Sequence, residues 1–315
     1  MPDQPILLSA IVVVGSRRKR AQRVLDALCA QTRIDSMEII VVDLAAGREP
    51  LPAAVPGVRL KYVPRPDTEP WGRARSAGVR QAVAPVIAFL EDHAFPAPDW
   101  AEALIAAHQG PWVAVGYAFT NANPRTYVSR SGFFSDYGPW AAPIPTGPGR
   151  FLPGNNVSYK RALLLELEGS LDLVLAPDFL IHELCNQRGL PMGIAARAQV
   201  AHENFERLSG LLHANHHYCR LLAAHRVQTQ AWGWRRRLVY GAGVPWGAPA
   251  IKLIRMAAGF RRRPALWPRF FAALPVILPA FFWSAIGESL GYLFGAGPAE
   301  RNFRRWELEA ERVTT

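Results

Sequence analysis

The run ILLSAIVVV, from Ile6 to Val14, constrains this chain more than any other stretch. It carries no charge, is rich in β-branched residues and lacks the apolar–polar alternation of a strand with one wet face. Such a run reads as a strand buried on both sides, the kind found in parallel sheets covered by helices above and below. The next segments agree. Gly15 and Ser16 make a turn, and RAQRVLDALCAQ then places Val24, Leu25 and Leu28 at helical spacing. MEIIVVD (Met37 to Asp43) is a second buried strand and VRLKYVP a third. GRARSAGVRQAVA is a helix opened by Gly72, and PVIAFL a fourth strand. PDWAEALIAAH is a helix with Pro98 and Asp99 at its entry, and WVAVGYAF a further strand. Strands alternating with helices predict βαβ units and an α/β fold with a mixed, mostly parallel sheet flanked by helices.

In open sheets of this class ligands bind outside the carboxyl ends of the strands. Asp43 ends the second strand. Glu91, Asp92 and His93 follow the fourth, inside VIAFLEDHAFPAPDW. Two carboxylates are hard ligands suited to Mg²⁺ or Mn²⁺, and an imidazole tilts the preference toward Mn²⁺. The plainer reading of this triplet is a solvated turn capping the next helix. Residues 121–153, rich in Gly, Pro and aromatics, read as a long loop region. PGNNVSYKRALLLEL reads as a turn, a short strand and a helix. Asn155 and Asn156 either line a substrate cleft or simply make that turn. DFLIHELCNQRG is a helix ending at Gly189, and MGIAARAQVAHEN a strand leading to His202. SRRKR (Ser16 to Arg20) reads as a solvated helix start or a phosphate contact. His213 and His217 in HANHHY are spaced i, i+4, and a polar helix face accounts for them.

The net charge of +11 calls for an anionic partner, and Arg clusters at WRRR, FRRR and FRR flank apolar stretches. That placement favours a lipid surface over nucleic acid; no zinc-finger spacing or aromatic RNA-binding signature is present. The stretch FFAALPVILPAFFWSAIG (Phe270 to Gly287) is uncharged and long enough to be a membrane-span candidate. Pro275 and Pro279 interrupt it and Arg residues flank both ends, which points to a monotopic or re-entrant element, with a single spanning segment as the alternative. Leu238 to Phe260, with Lys252 and Arg255, suits an interfacial helix. The chain accordingly divides into a catalytic region, 1–225, and a helical, basic and apolar membrane-association region, 226–315. Cys29, Cys185 and Cys219 form no framework, which fits a reducing cytoplasm. The N-terminus lacks a basic region before its apolar run and reads as a strand rather than a signal peptide. The first strand ends in GSRRKR, without the GxGxxG of a dinucleotide site.

These stretches, in their order and spacing, resemble family 2 glycosyltransferases of the GT-A fold, in the nucleotide-diphospho-sugar transferase superfamily. The likeness runs from Ile6 to Arg220 and rests on the first strand and helix ending in LCAQ, on MEIIVVD, on GRARSAGVRQAVAPVIAFLEDHAFPAPDW, and on PGNNVSYKRALL, DFLIHELCNQRG and VAHEN. It implies transfer of a sugar from a nucleotide-diphosphate sugar to an acceptor hydroxyl, with inversion. The apolar, basic tail, rather than the resemblance, suggests the acceptor: a glycan or a lipid-linked molecule, in surface glycan or glycolipid synthesis at the cytoplasmic face of the cell membrane. By the same resemblance Asp43 contacts the nucleotide base and Arg75 the nucleotide or phosphate, although Ser76 replaces the usual Asn. The Asp-x-Asp metal motif is here Glu91-Asp92-His93, so Asp92 and His93, completed by His202, would hold a divalent cation, Mn²⁺ or Mg²⁺. Glu91, Asp92, Asn155 and Asn156 would contact substrate. The base usually lies in a Glu-Asp pair, and here Pro177 precedes Asp178, leaving Asp178 for that role. The altered triplet and the halved acid pair motivate an alternative: a catalytically degenerate protein that binds nucleotide sugar or acts as a scaffold at the membrane.

Overall fold

The computed structural model describes residues 4–47, 51, 56–177, 179–261 and 263–313. In chain order the first elements are β1 (Leu8–Val14), α1 (Arg18–Cys29), β2 (Met37–Asp43), β3 (Arg59–Pro64), α2 (Trp71–Gln81), β4 (Val86–Glu91), β5 (Ala94–Pro96), α3 (Trp100–His108) and β6 (Ala114–Asn121). Then come α4 (Tyr127–Tyr137), β7 (Gly147–Pro148), β8 (Val157–Lys160), α5 (Arg161–Glu166), α6 (Leu171–Val174), α7 (Phe179–Gln187) and β9 (Met192–His202). Four helices close the chain: α8 (Leu208–Thr229), α9 (Trp234–Phe260), α10 (Trp267–Phe294) and α11 (Ala299–Leu308). Two compact units result, residues 1–120 with 142–202 and residues 121–141 with 203–315.

The first unit is built on a mixed sheet of nine strands in the order β3-β2-β1-β4-β8-β6-β9-β5, with β7 on β9. Its β3-β2-β1-β4 half is parallel, and β8 joins β4 antiparallel. Every residue of β1 and β2 is buried; Ser9 Oγ donates to Glu38 Oε1 at 2.6 Å, which pairs the two polar groups inside these runs, and each fully buried Leu, Ile or Val contributes roughly 1.5–3 kcal/mol. Gly78 lets α2 close on the sheet, because a Cβ there would stand 2.6 Å from the Ile11 side chain. The register then does the positioning. Val14 pairs with Asp43 and Val13 with Glu91, so both acids reach the same edge with only β1 between them. Strand spacing puts their backbones about 10 Å apart. Pairing of Ala94 with His202 brings the end of β9 to the turn after β4.

The second unit is helical. The expected loop over 121–153 is partly replaced by α4, whose N-cap Thr126 accepts from the Ser129 amide at 3.1 Å. Its weak periodicity has a physical cause: Phe133, Phe134 and Tyr137 are all buried, and an element covered on several sides shows no clean apolar stripe. α8 lies tightly on α10, where a Cβ on Gly287 would sit 2.1 Å from the His216 carbonyl and one on Gly291 2.3 Å from that of Arg220. α9 and α10 form an antiparallel hairpin. Gly241 meets Leu293 at one end, Lys252 Nζ donates to Ser284 Oγ at 2.8 Å midway, and the Phe260 and Phe270 rings lie 5.5 Å apart at the other end. Both helices run through their prolines, Pro245 and Pro249 in α9 and Pro275 and Pro279 in α10. An internal proline costs about 3 kcal/mol in an isolated helix, and packing of α10 against α8 and α9 offsets that cost.

Candidate functional site

The site grows from the corner where β4 stops. Glu91 ends the strand, Asp92 and His93 make the turn, and β5 begins at Ala94. Glu91, Asp92, His93 and His202 are all buried. Such groups persist away from water only when paired, and each has its partners. The Glu91 carboxylate accepts from Asn155 Nδ2 at 2.9 Å and from Asn156 Nδ2, and its Oε2 lies 3.1 Å from His202 Nε2. The Glu91 amide donates to Asn156 Oδ1 at 3.0 Å. Asn155 holds a left-handed backbone with φ of 64°, a conformation Asn tolerates better than other non-glycine residues and one that clusters at functional sites. Arg75 donates to the Leu175 carbonyl at 3.0 Å and to Asn155 Oδ1 at 3.4 Å, with its guanidinium 4.1 Å above the Phe89 ring. Arg75, Asn155, Asn156, Glu91 and His202 therefore form one connected network.

Donor atoms of Glu91, His93 and His202 all lie within 4.8 Å of one another. Glu91 Oε2 is 3.1 Å from His202 Nε2 and 3.6 Å from His93 Nε2. Ligand atoms about 2.1 Å from a shared cation would stand at such separations, so the residues fit a divalent ion. Among the described residues this is the one His/Cys/Asp/Glu group that close. In the second unit the HANHHY histidines behave as packing groups. His213 stacks on Trp306 at 5.2 Å, and burial, with the neighbouring His216, pushes His217 down to about 4.

Asp92 points elsewhere. Its Oδ1 meets His93 Nδ1 at 3.0 Å, and Arg20 Nη2 reaches Oδ1 at 2.8 Å and Oδ2 at 2.9 Å. Asp43 has the same kind of partner two residues earlier. Arg18 grips it at 2.8 and 3.0 Å, and the Ala45 amide donates to Oδ1 at 2.9 Å. Arg18 also donates to the carbonyls of Ala45 and Gly15. The first turn of α1 thus lends one arginine to Asp43, at the end of β2, and one to Asp92, in the turn after β4. SRRKR is not simply a solvated helix start: Arg18 and Arg20 are buried while Lys19 between them is exposed. Asp178, the expected base, lies outside the described residues.

A parallel strand edge that presents acids, paired arginines and an acid–histidine trio has the layout of a GT-A nucleotide-binding domain. Residues 9–164 match the family model described as Glycosyl transferase family 2, and the chain belongs to that family. Validoxylamine A glucosyltransferases from Streptomyces hygroscopicus subsp. jinggangensis and subsp. limoneus are each 31% identical over 110 residues. The match covers 33% of this chain and 26% and 24% of those proteins, so the chain spans about a quarter of the length of these curated relatives. In fold it is similar to the mannosyltransferase PcManGT from Pyrobaculum calidifontis, solved with GDP-Man and Mn²⁺. The TM-score is 0.55 and the identity 20%, over 95% of this chain and 88% of that one. The expected GT-A fold, with its mixed, mostly parallel sheet, is thereby borne out.

Proposed function

We propose that this chain transfers a sugar from a nucleotide-diphosphate donor to an acceptor hydroxyl, with inversion and with a divalent cation. The observation that carries this is the buried Glu91–His93–His202 trio at the strand edge, backed by Asn155 and Asn156. Glu91, His93 and His202 would hold the cation, which would supply positive charge against the departing diphosphate. The chain's own residues supply the rest. Asn155, Asn156 and Arg75 hold the Glu91 side of the cleft rigid, which preorganises the donor position. Asp43, with Arg18, frames the neighbouring strand end for the nucleotide base. Asp178 takes the proton from the acceptor hydroxyl, which attacks the anomeric carbon opposite the nucleotide; this role rests on the family resemblance. The PcManGT structure, holding GDP-Man and Mn²⁺, supports the donor class and the cation. A panel of nucleotide sugars tests the reading by Mn²⁺-dependent release of nucleoside diphosphate. Release with at least one donor, lowered about 10²–10⁴-fold in Asp178→Asn, is expected. Tight binding of a nucleoside diphosphate with Mn²⁺ but turnover of no donor would favour the degenerate binding protein instead.

The acceptor in this reading is lipid-linked or a growing surface glycan, and the second unit lies on the cytoplasmic face of a membrane. Pro264–Phe294 is the one helix, among the described residues, long and apolar enough to cross a bilayer, with mean hydropathy 1.9 and half of its core window buried. Two exposed stripes support a surface role. On α9, Val239, Trp246, Ala250 and Ile254 follow one helical face, and Trp246 is 81% exposed. On α10, Phe271, Pro275, Leu278 and Phe282 do the same. Exposed Arg235 and Arg236 precede the first stripe, Arg261 follows it and Arg269 precedes the second, where anionic headgroups would lie. A spanning α10 would drag its packing partner α8, with Arg220 and Arg226, to the same depth. Each charge at the bilayer centre costs roughly 2.5–3.5 kcal/mol or more, so an in-plane hairpin is favoured. Flotation with phosphatidylglycerol-containing vesicles checks this; binding that resists alkaline carbonate would indicate a spanning helix instead.

A further inference from the structure

The placement of Asp92 has a chemical consequence for the cation site. Four side chains near the β4–β5 corner offer cation ligands, yet only three aim at one point. Glu91, His93 and His202 bring their donor atoms within 4.8 Å. Asp92 has both oxygens within 2.9 Å of Arg20 Nη2, and its Oδ1 also faces His93 Nδ1 at 3.0 Å. A carboxylate on one imidazole nitrogen fixes the ring and its tautomer, leaving the other nitrogen for the metal. Here that other nitrogen is His93 Nε2, the atom 3.6 Å from Glu91 Oε2.

We infer that Arg20 is a specificity-determining residue: by holding Asp92 against His93 it keeps Asp92 out of the ligand set, so that a cation meets two imidazoles and one carboxylate. Asp92 is then a positioning residue for His93 rather than a ligand. Two nitrogens and one carboxylate suit first-row transition ions, whereas Mg²⁺ favours carboxylate, carbonyl and water oxygens. Arg20 thus decides between ion classes from outside the ligand set. The pairing is built into the fold, because α1 opens directly after β1 and β1 lies beside β4. Arg20 and Asp92 are both buried, so water competes weakly for either.

The inference rests on the reading of the trio as a cation site, and one titration separates the two. Calorimetry on the full chain without donor, with Mn²⁺ and then Mg²⁺, gives a selectivity ratio, and electron paramagnetic resonance counts bound Mn²⁺. Wild type is expected to bind one Mn²⁺ at least about 30-fold more tightly than Mg²⁺. Arg20→Met releases the Asp92 carboxylate to the cation and should bring that ratio to within about 3-fold, while Arg20→Lys keeps it near wild type. Asp92→Asn should weaken Mn²⁺ and Mg²⁺ together, by about 10–100-fold, with the ratio unchanged. If Asp92 were itself a ligand, Asp92→Asn would raise the ratio and Arg20→Met would leave it unchanged, which overturns the inference. The double variant Arg20→Met/Asp92→Asn removes both buried charges, so it answers the question even if Arg20→Met alone misfolds. It should keep the wild-type ratio, and a raised ratio again makes Asp92 a ligand. No Mn²⁺ binding by wild type would overturn both this inference and the cation-site reading beneath it.

Discussion

The strand edge of the first unit and the helical hairpin of the second depart from ordinary burial in opposite directions. At the edge, charged groups are buried: Arg18, Arg20, Asp43, Glu91 and Asp92. On the hairpin, large apolar groups are exposed: Val239, Trp246, Ile254, Phe271 and Phe282. Both are the informative exceptions in a folded chain, because buried polar groups and contiguous exposed apolar patches each cost free energy that folding alone does not require. The edge recovers its cost inside the molecule, through hydrogen-bonded ion pairs. On the hairpin these side chains stand exposed among the described residues, and the proposed membrane face would recover that cost outside the chain. A polar site can be complete in isolation, whereas an apolar face is complete only with a partner.

Substitutions can break that contrast, and the edge should be the more fragile side. Asp43→Ala leaves the Arg18 guanidinium buried without its carboxylate and should cost about 3–5 kcal/mol in denaturant unfolding. A loss under 1 kcal/mol would mean the pair is solvated. Two histidines sharpen the comparison through pH. Burial, with the charge of Lys160 adding to it, pushes His108 down to about 4, and its Nε2 lies 2.9 Å from Ser158 Oγ. A folded value below the unfolded one means the unfolded chain takes the proton first. The stability lost on acidification therefore begins near pH 6.5, grows as pH falls and levels off below about 4, for about 3 kcal/mol in all. Unfolding measured from pH 7 to 4 should show that slope, reduced in His108→Gln. His217 in the second unit is also pushed to about 4, but it is only half-buried, and solvent screening leaves it a smaller share. Gly287→Ala forces α8 from α10 and should cost about 1–3 kcal/mol, read as a lower midpoint in denaturant. The smallest stability effect belongs to Trp246→Glu, within about 0.5 kcal/mol, together with loss of vesicle binding. A large destabilisation there would show that the face packs on protein.

Much of the edge was legible in advance. Runs rich in β-branched residues give β1 and β2 directly, and the two polar residues inside them, Ser9 and Glu38, are buried as a hydrogen-bonded pair. The acids at their ends stand out against those runs. Glu91, His93 and His202 were legible as residues, but which of Glu91, Asp92 and His93 faces His202 and which faces Arg20 was not, because neighbours in sequence point in different directions at a turn. Arg18 and Arg20 were hidden inside a basic run that looks solvated, and α4 inside a stretch whose aromatics face several ways. Pro275 and Pro279 argued for interruption, and α10 runs through both.

By itself the sequence determined β1 and β2 as buried strands and α1 as an amphipathic helix, because hydrophobic periodicity is recorded in the local order of residues. It also determined that acids follow strands and that arginines flank the apolar tail. Only the tertiary structure decided which acid meets which base. Arg20 and Asp92 stand 72 positions apart, and sheet register, not spacing along the chain, brings them together. Exposure of the hairpin was likewise decided in three dimensions, since an apolar face spells the same residues whether it meets protein, lipid or water.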